Sequence, residues 1–238
     1  MDESSPAAAL PVLHAVTNDE IVGRPQFAER ARAVMRAMGP RGALQLRAAR
    51  IAQERPAHFV ELALTLVEEQ ERSGAWLVIN DRVDVALIAC ARGVQLTRNS
   101  LEVADAMQVL LKSSTPGELP ACAIGASVHS LEEAIAARLA GATWGVVSDV
   151  LAPAAEGHAD RSGRSTSSHD AGPALLERLV KYSGIPIVTI GGVAPRHVAA
   201  LRRAGAYGVA AIRGIWDVEH SERAVLDYLS GYDSEVER

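Results

Sequence analysis

Eight short apolar runs rich in β-branched residues recur along the chain, separated by longer Ala, Leu, Glu and Arg segments with helical spacing. The runs begin near Pro11 (PVLHAV), Ala43 (ALQLR), Trp76 (WLVIN), Gly93 (GVQL), Cys122 (CAIGASV), Thr143 (TWGVV), Pro186 (PIVTI) and Gly208 (GVAAI). They are apolar along their whole length, as the strands of a parallel sheet covered by helices must be. Amphipathic helices are predicted over Phe59 to Ser73, Leu131 to Ala140 and Pro195 to Ala204, each closed by a glycine (Gly74, Gly141, Gly205). A doubly wound open sheet would show the same alternation. Eight strands, with no Gly-x-Gly-x-x-Gly turn after the first, favour closure. The 238 residues also match the ~250 usual for one such barrel. The expected fold is therefore α/β, a single (β/α)8 TIM barrel over residues 11–230, with an extension at 1–10 and a tail at 231–238.

Composition narrows the function classes. A content of 48% hydrophobic and 22% charged residues describes a globular chain. A net charge of -5 without a Lys/Arg stripe argues against a nucleic-acid partner. The acidic start, Met1 to Pro6, lacks the basic region of a signal peptide. No stretch approaches the ~18 apolar residues that span a bilayer, so no membrane partner is expected. Cys90 and Cys122 are too few for a disulfide framework or zinc site, and a cytoplasmic location is expected.

One segment breaks the rhythm. Residues 154–171, after the sixth strand, are rich in Ser, Gly, His and charge. A loop this long is either functional or an insertion without a role. At the C-terminal face of a barrel, the functional reading is a lid. His158 and His169 within it lack metal-ligand spacing and read as solvated.

The main chemical signal is Ile187-Val188-Thr189-Ile190-Gly191-Gly192-Val193-Ala194-Pro195, followed by Gly208 to Gly214. Glycines at the end of strand seven let backbone amides approach an anion, and Pro195 suits the first turn of the next helix. Arg213 and Gly214 add a cation and amides at the end of strand eight. Gly191, Gly192, Arg213 and Gly214 thus form a candidate phosphate cup at the recurring phosphate site of this fold. The alternative is a tight turn at Gly191-Gly192.

Four ordered segments resemble the thiamine phosphate synthase/TenI-like family: Gln45-Leu46-Arg47, Ile79 to Leu87 (INDRVDVAL), Ser127 to Ala134 (SVHSLEEA) and Thr189-Ile190-Gly191-Gly192-Val193. The resemblance implies a barrel whose upper face binds a small phosphorylated heterocycle, a thiazole phosphate, with Gln45, Arg47, Asn80 and Ser127 as substrate-binding residues. In the synthase it also implies an aminopyrimidine diphosphate and Mg2+, and Asp81 would be a metal ligand only if the chain is a synthase. Family members often form homodimers, and no surface feature of the sequence decides that here.

The chain departs from the synthase pattern. The second metal-binding Asp falls at Ser100, the Lys after the strand-two Arg is Ala49, and the strand-six loop Lys has no counterpart in Ser148 to Pro153. Arg50, Arg98, Arg161 and Arg164 could supply charge from shifted positions. A monophosphate cup without diphosphate apparatus resembles the TenI-like branch, whose best-known members aromatise a carboxythiazole phosphate tautomer by moving protons. That chemistry needs no cofactor. The branch's catalytic His matches Asp149, which could shuttle a proton if burial raised its pKa.

Several residues carry two readings. His129, at the end of strand five, is a candidate acid/base, or merely precedes the Ser130-Leu131-Glu132-Glu133 capping box. Asp81 holds a metal or starts the next helix. Gln45 and Arg47 share one face of strand two, where Arg47 reaches a bound anion or pairs with a strand acid. His14 packs inside the barrel. Three functions remain open at this point: a TenI-like proton-transfer enzyme using Asp149 or His129, a divergent synthase, and a non-catalytic binder of phosphorylated metabolites.

Overall fold

The computed structural model describes residues 9–115, 121–151 and 172–234. The segment 154–171, with the lid reading and His158, Arg161, Arg164 and His169, lies outside the described residues. In chain order the elements are β1 (Leu13–Val16), α1 (Asp19–Val22), α2 (Phe27–Met38), β2 (Gly42–Leu46), α3 (Ala49–Glu54), α4 (Pro56–Ser73), β3 (Trp76–Asn80), α5 (Val83–Ile88), β4 (Gly93–Leu96) and α6 (Val103–Lys112). There follow β5 (Ala123–Ser127), α7 (Leu131–Leu139), β6 (Trp144–Ser148), α8 (Pro173–Tyr182), β7 (Ile187–Ile190), α9 (Pro195–Arg203), β8 (Gly208–Ala211), α10 (Arg213–Trp216) and α11 (Ser221–Asp233). All eight strands pair in parallel with their sequence neighbours, and β8 pairs with β1, so the sheet closes into a (β/α)8 barrel.

Period-2 alternation sends each strand's side chains to two cores. On β3, Trp76 and Val78 join a lumen cluster with Val16, Ala43, Trp144, Val188 and Ala210. Leu77 and Ile79 face the outer cluster, shared with the helices. Trp144 dominates the lumen, and β5 makes way for it with a glycine. A Cβ on Gly125 would lie 2.2 Å from the indole and 2.3 Å from Gln95 Oε1. His14 sits in the same space, its ring 5.9 Å from that of Trp144, and its Nε2 is 3.3 Å from Pro11 O. Burial lowers the His14 pKa to about 4.

Among the described residues no helix is long and apolar enough to cross a membrane. Both cysteines are free, Cys90 exposed and Cys122 buried.

Two outcomes follow from the lumen. Gly125→Ala overpacks it, and the expected loss of stability is about 2 kcal/mol, read from urea unfolding. His14 is held neutral in the folded chain, whereas the unfolded chain binds its proton near the ordinary histidine value of 6.5. The unfolded state therefore carries more protons between the two values, so His14's contribution is complete above pH 6.5 and is lost as pH falls toward about 4. The drop is on the order of 3 kcal/mol. Across that window wild type should lose about that much more stability than His14→Leu, and a pH-independent difference between the two would refute the assignment.

Candidate active site

The strands' C-terminal ends form a mouth whose polar groups pair with one another. On its β2–β4 side, Gln45 Nε2 donates to Asn80 Oδ1 at 2.7 Å, and Asn80 Nδ2 donates to Asp81 Oδ2 at 2.6 Å. Thr97 gives both its backbone N–H and its hydroxyl to Asp81 Oδ1, each at 2.8 Å. An acceptor at Asp81 fixes the orientation of the Asn80 amide, and that in turn fixes Gln45. The Asp81 backbone is left-handed, at φ +62, a conformation Asp tolerates better than most residues.

Asp81 does not start the following helix. α5 opens at Val83 with no side-chain cap. Its first-turn acid is Asp84, which Arg82 binds at 2.6 Å, holding the Asp84 carboxyl below the usual range. Ser100 donates to the Asp81 carbonyl at 3.4 Å.

Between β4 and β6, the Trp144 indole N–H donates to Gln95 Oε1 at 3.0 Å. An indole can only donate, so the Gln95 NH2 is turned toward Ser127 Oγ, 3.4 Å away, and Leu96 O, 3.2 Å away. Ser127 accepts there and keeps its own proton for the mouth. His129 stands beside the cap: Ser130 Oγ accepts from Glu133 N, and Glu133 Oε2 takes the His129 N–H at 2.8 Å and lies 3.1 Å from Nδ1. Arg98 is 3.6 Å from the other Glu133 oxygen. These three residues line a cavity of about 390 Å³ at the β4 and β5 connections.

A separate cavity of about 400 Å³ is walled by Ile190, Gly191, Gly192, Val193, Arg213 and Gly214. Gly191 and Gly192 both lie in the left-handed region, at φ +109 and +65, which favours glycine. A side chain on Gly192 would meet nothing within 4 Å, so that face is open to a ligand. The amides of Gly192, Val193 and Gly214 have no acceptor among the described residues. Arg213 is exposed, with no acidic partner among them.

Asp149 abuts this cavity. Its N–H donates to Ile190 O at 3.1 Å, and its backbone is left-handed at φ +59. A Cβ on Gly191 would stand 3.0 Å from Asp149 N and 3.3 Å from Oδ1. Asp149 is exposed, not buried.

Arg47 is exposed at the end of β2. Thr17 clamps its backbone, donating to Arg47 O and accepting from Arg47 N, both at 2.9 Å. Its guanidinium has no acidic partner among the described residues, so the strand ion pair is not formed.

The structure thus gathers Gln45, Asn80 and Asp81 into one chain, joins Ser127 to Gln95, sets Asp149 on the glycine cup, and leaves His129 with Glu133. Sequence reading missed Gln95, Thr97 and Thr17. The signal for Gln95 was present, because it is an amide on an otherwise apolar strand, as Asn80 is.

Comparison with known proteins is consistent across sequence and fold. A family model described as thiamine monophosphate synthase matches residues 13–215. A thiamine-phosphate synthase of Methanoculleus marisnigri is 32% identical over 228 residues, covering 92% of this chain and 96% of that protein. One from Roseiflexus castenholzii is 30% identical over 224 residues, covering 91% and 87%. Among solved structures, a thiamine phosphate pyrophosphorylase from Pyrococcus furiosus superposes with a TM-score of 0.72 at 23% identity, over 93% of this chain and 96% of that one.

The Asp81 carboxylate meets donors on both oxygens. Asp81→Asn turns an NH2 against either Thr97 or Asn80, and the expected destabilisation is about 1–3 kcal/mol, checked by thermal unfolding. A variant as stable as wild type would show that these hydrogen bonds do not form.

Proposed function

We propose, from the premise that the chain belongs to the thiamine monophosphate synthase/TenI family, that it is a TenI-like acid/base enzyme acting on a thiazole phosphate. The observation that carries the reading is Asp149 seated against Gly191 at the rim of the cup. A phosphate held by the amides of Gly192, Val193 and Gly214 and by Arg213 would fix one end of the substrate. The ring would then lie over the mouth, within reach of the Asp149 carboxylate.

Arg47, with no competing acid among the described residues, is available to a substrate carboxylate. Ser127 offers a hydroxyl proton, and Gln45 retains Oε1 as an acceptor. In this arrangement Asp149 Oδ1 would take a proton from one ring position and return it at another, while the cup and Arg47 prevent the ring from turning. The same reading takes the protein as cytoplasmic, without nucleic-acid or membrane partners. It includes no claim of a homodimer.

The donor set does not suit the magnesium centre that a synthase implies. Asp81 is the one carboxylate at the proposed position, and its oxygens already accept three hydrogen bonds. Its neighbour is the Ser100 hydroxyl and not a second acid. Among the described residues no group of three or more His, Cys, Asp or Glu could hold a metal. The synthase reading keeps the support of the family model and of thiamine-phosphate synthases that are 30–32% identical to this chain.

The test is an incubation of purified protein with the carboxythiazole phosphate tautomer in a chelator, followed by NMR. Aromatised product is expected, and Asp149→Asn should slow it by roughly 10²–10⁴-fold while phosphate binding persists. Adding aminopyrimidine diphosphate and Mg2+ and finding thiamine phosphate by mass would overturn the proposal in favour of the synthase. Phosphate binding with neither product would mark a non-catalytic binder.

A further inference from the structure

One buried side chain reaches the cup from a helix that supplies none of its walls. Tyr228, on α11, is 1% exposed, and its hydroxyl donates to Val193 O at 2.7 Å. On its other side is Gly214, where a Cβ would lie 2.2 Å from the hydroxyl oxygen. The hydroxyl is therefore wedged between the loop after β7 and the first turn of α10.

The peptide it binds is also held from behind, because Ala194 N–H donates to His197 Nδ1 at 3.1 Å. With both the carbonyl and the N–H of that peptide engaged, the two preceding peptides lose their freedom to swing. Those peptides carry the N–H groups of Gly192 and Val193, which have no acceptor among the described residues. Two successive glycines would otherwise leave this loop many conformations.

We infer that Tyr228 is a positioning residue for the phosphate cup, fixing the loop after β7 against the first turn of α10 so that their amides face a single anion. The inference rests on the cup reading above and holds whichever reaction follows. α11 is a firm base for such a strut. Arg41 grips Asp233 through two hydrogen bonds of 2.7 and 2.8 Å, and the Arg202 guanidinium lies 4.7 Å from the Tyr232 ring centroid. Burial pushes the Tyr228 pKa up to about 12, so the hydroxyl keeps its proton to donate. A cup ordered before binding loses less entropy on taking its ligand.

Tyr228→Phe keeps the ring and removes only the hydroxyl. Calorimetric titration of wild type and variant with inorganic phosphate, well below both melting temperatures, should show about five- to tenfold weaker binding in the variant. KM for thiazole phosphate should rise by a similar factor, with kcat changed much less. Equal phosphate affinity overturns the inference even if the melting temperature drops, because a purely structural role moves stability and not the affinity of the folded protein. A wild-type protein that does not bind phosphate overturns the cup reading instead.

Gly214→Ala gives an independent check. Its methyl group would lie 2.2 Å from the hydroxyl in wild type, whereas with Phe at 228 the nearest ring atom is the Cζ position at 3.3 Å, a tight contact and not a collision. The two affinity losses should therefore be less than additive, and additive losses would also overturn the wedge.

Discussion

Closing a parallel sheet on itself obliges every second side chain to share one lumen, and that confinement governs what the rest of this molecule can do. The indole of Trp144 takes up the lumen's width beside Gly125. Its single N–H must find an acceptor in an apolar space, and Gln95 supplies it. An unpaired buried polar group costs about 1–3 kcal/mol, so the amide orientation is settled by packing before any ligand arrives. The orientation passes upward from Gln95 to Ser127. On the neighbouring strands it passes from Asp81 through Asn80 to Gln45. The floor of the site is rigid because its donors and acceptors are committed to one another.

The rim is built differently. Asp81 and Asp149 both end strands in the left-handed backbone region, where a non-glycine residue is sparsely populated and such outliers gather at functional sites. They meet opposite circumstances. Asp81 is saturated by neighbouring donors, whereas Asp149 is exposed against a glycine. One carboxylate is tied into the scaffold, and the other has no side-chain partner among the described residues beside the cavity. This asymmetry, more than any one missing residue, separates the proton-transfer reading from a metal-assisted one.

The fold was legible in the sequence because strand and helix periodicities are local properties. The eight apolar runs became eight strands, with β1, β5, β6 and β7 starting one or two residues inside the marked runs and β2 one residue before its run. The glycine cup was legible too, since Gly191-Gly192 and Arg213-Gly214 end consecutive strands. The Asp81 pairing was not, because helix start and metal ligand share one sequence signal. Only the position of Thr97, just past the end of the adjacent strand β4, distinguishes them. His129 kept both of its readings, with the capping geometry present and its ring on Glu133.

Tyr228 lay beyond any sequence reading, for a physical reason. It is 35 residues from the carbonyl it binds, on a helix whose spacing announces only a buried face, and a buried tyrosine there reads as core. Its polar end acquires meaning once barrel closure brings the first and last strands together and α11 packs between α2 and α9. Barrel closure thus sets the hydroxyl on Val193 O and beside Gly214, where any side chain would collide with it. A flexible cup suits an anion of any shape, and a strutted one selects for a fixed tetrahedral group. The strut therefore ties this site's choice of ligand to an element that never touches the ligand.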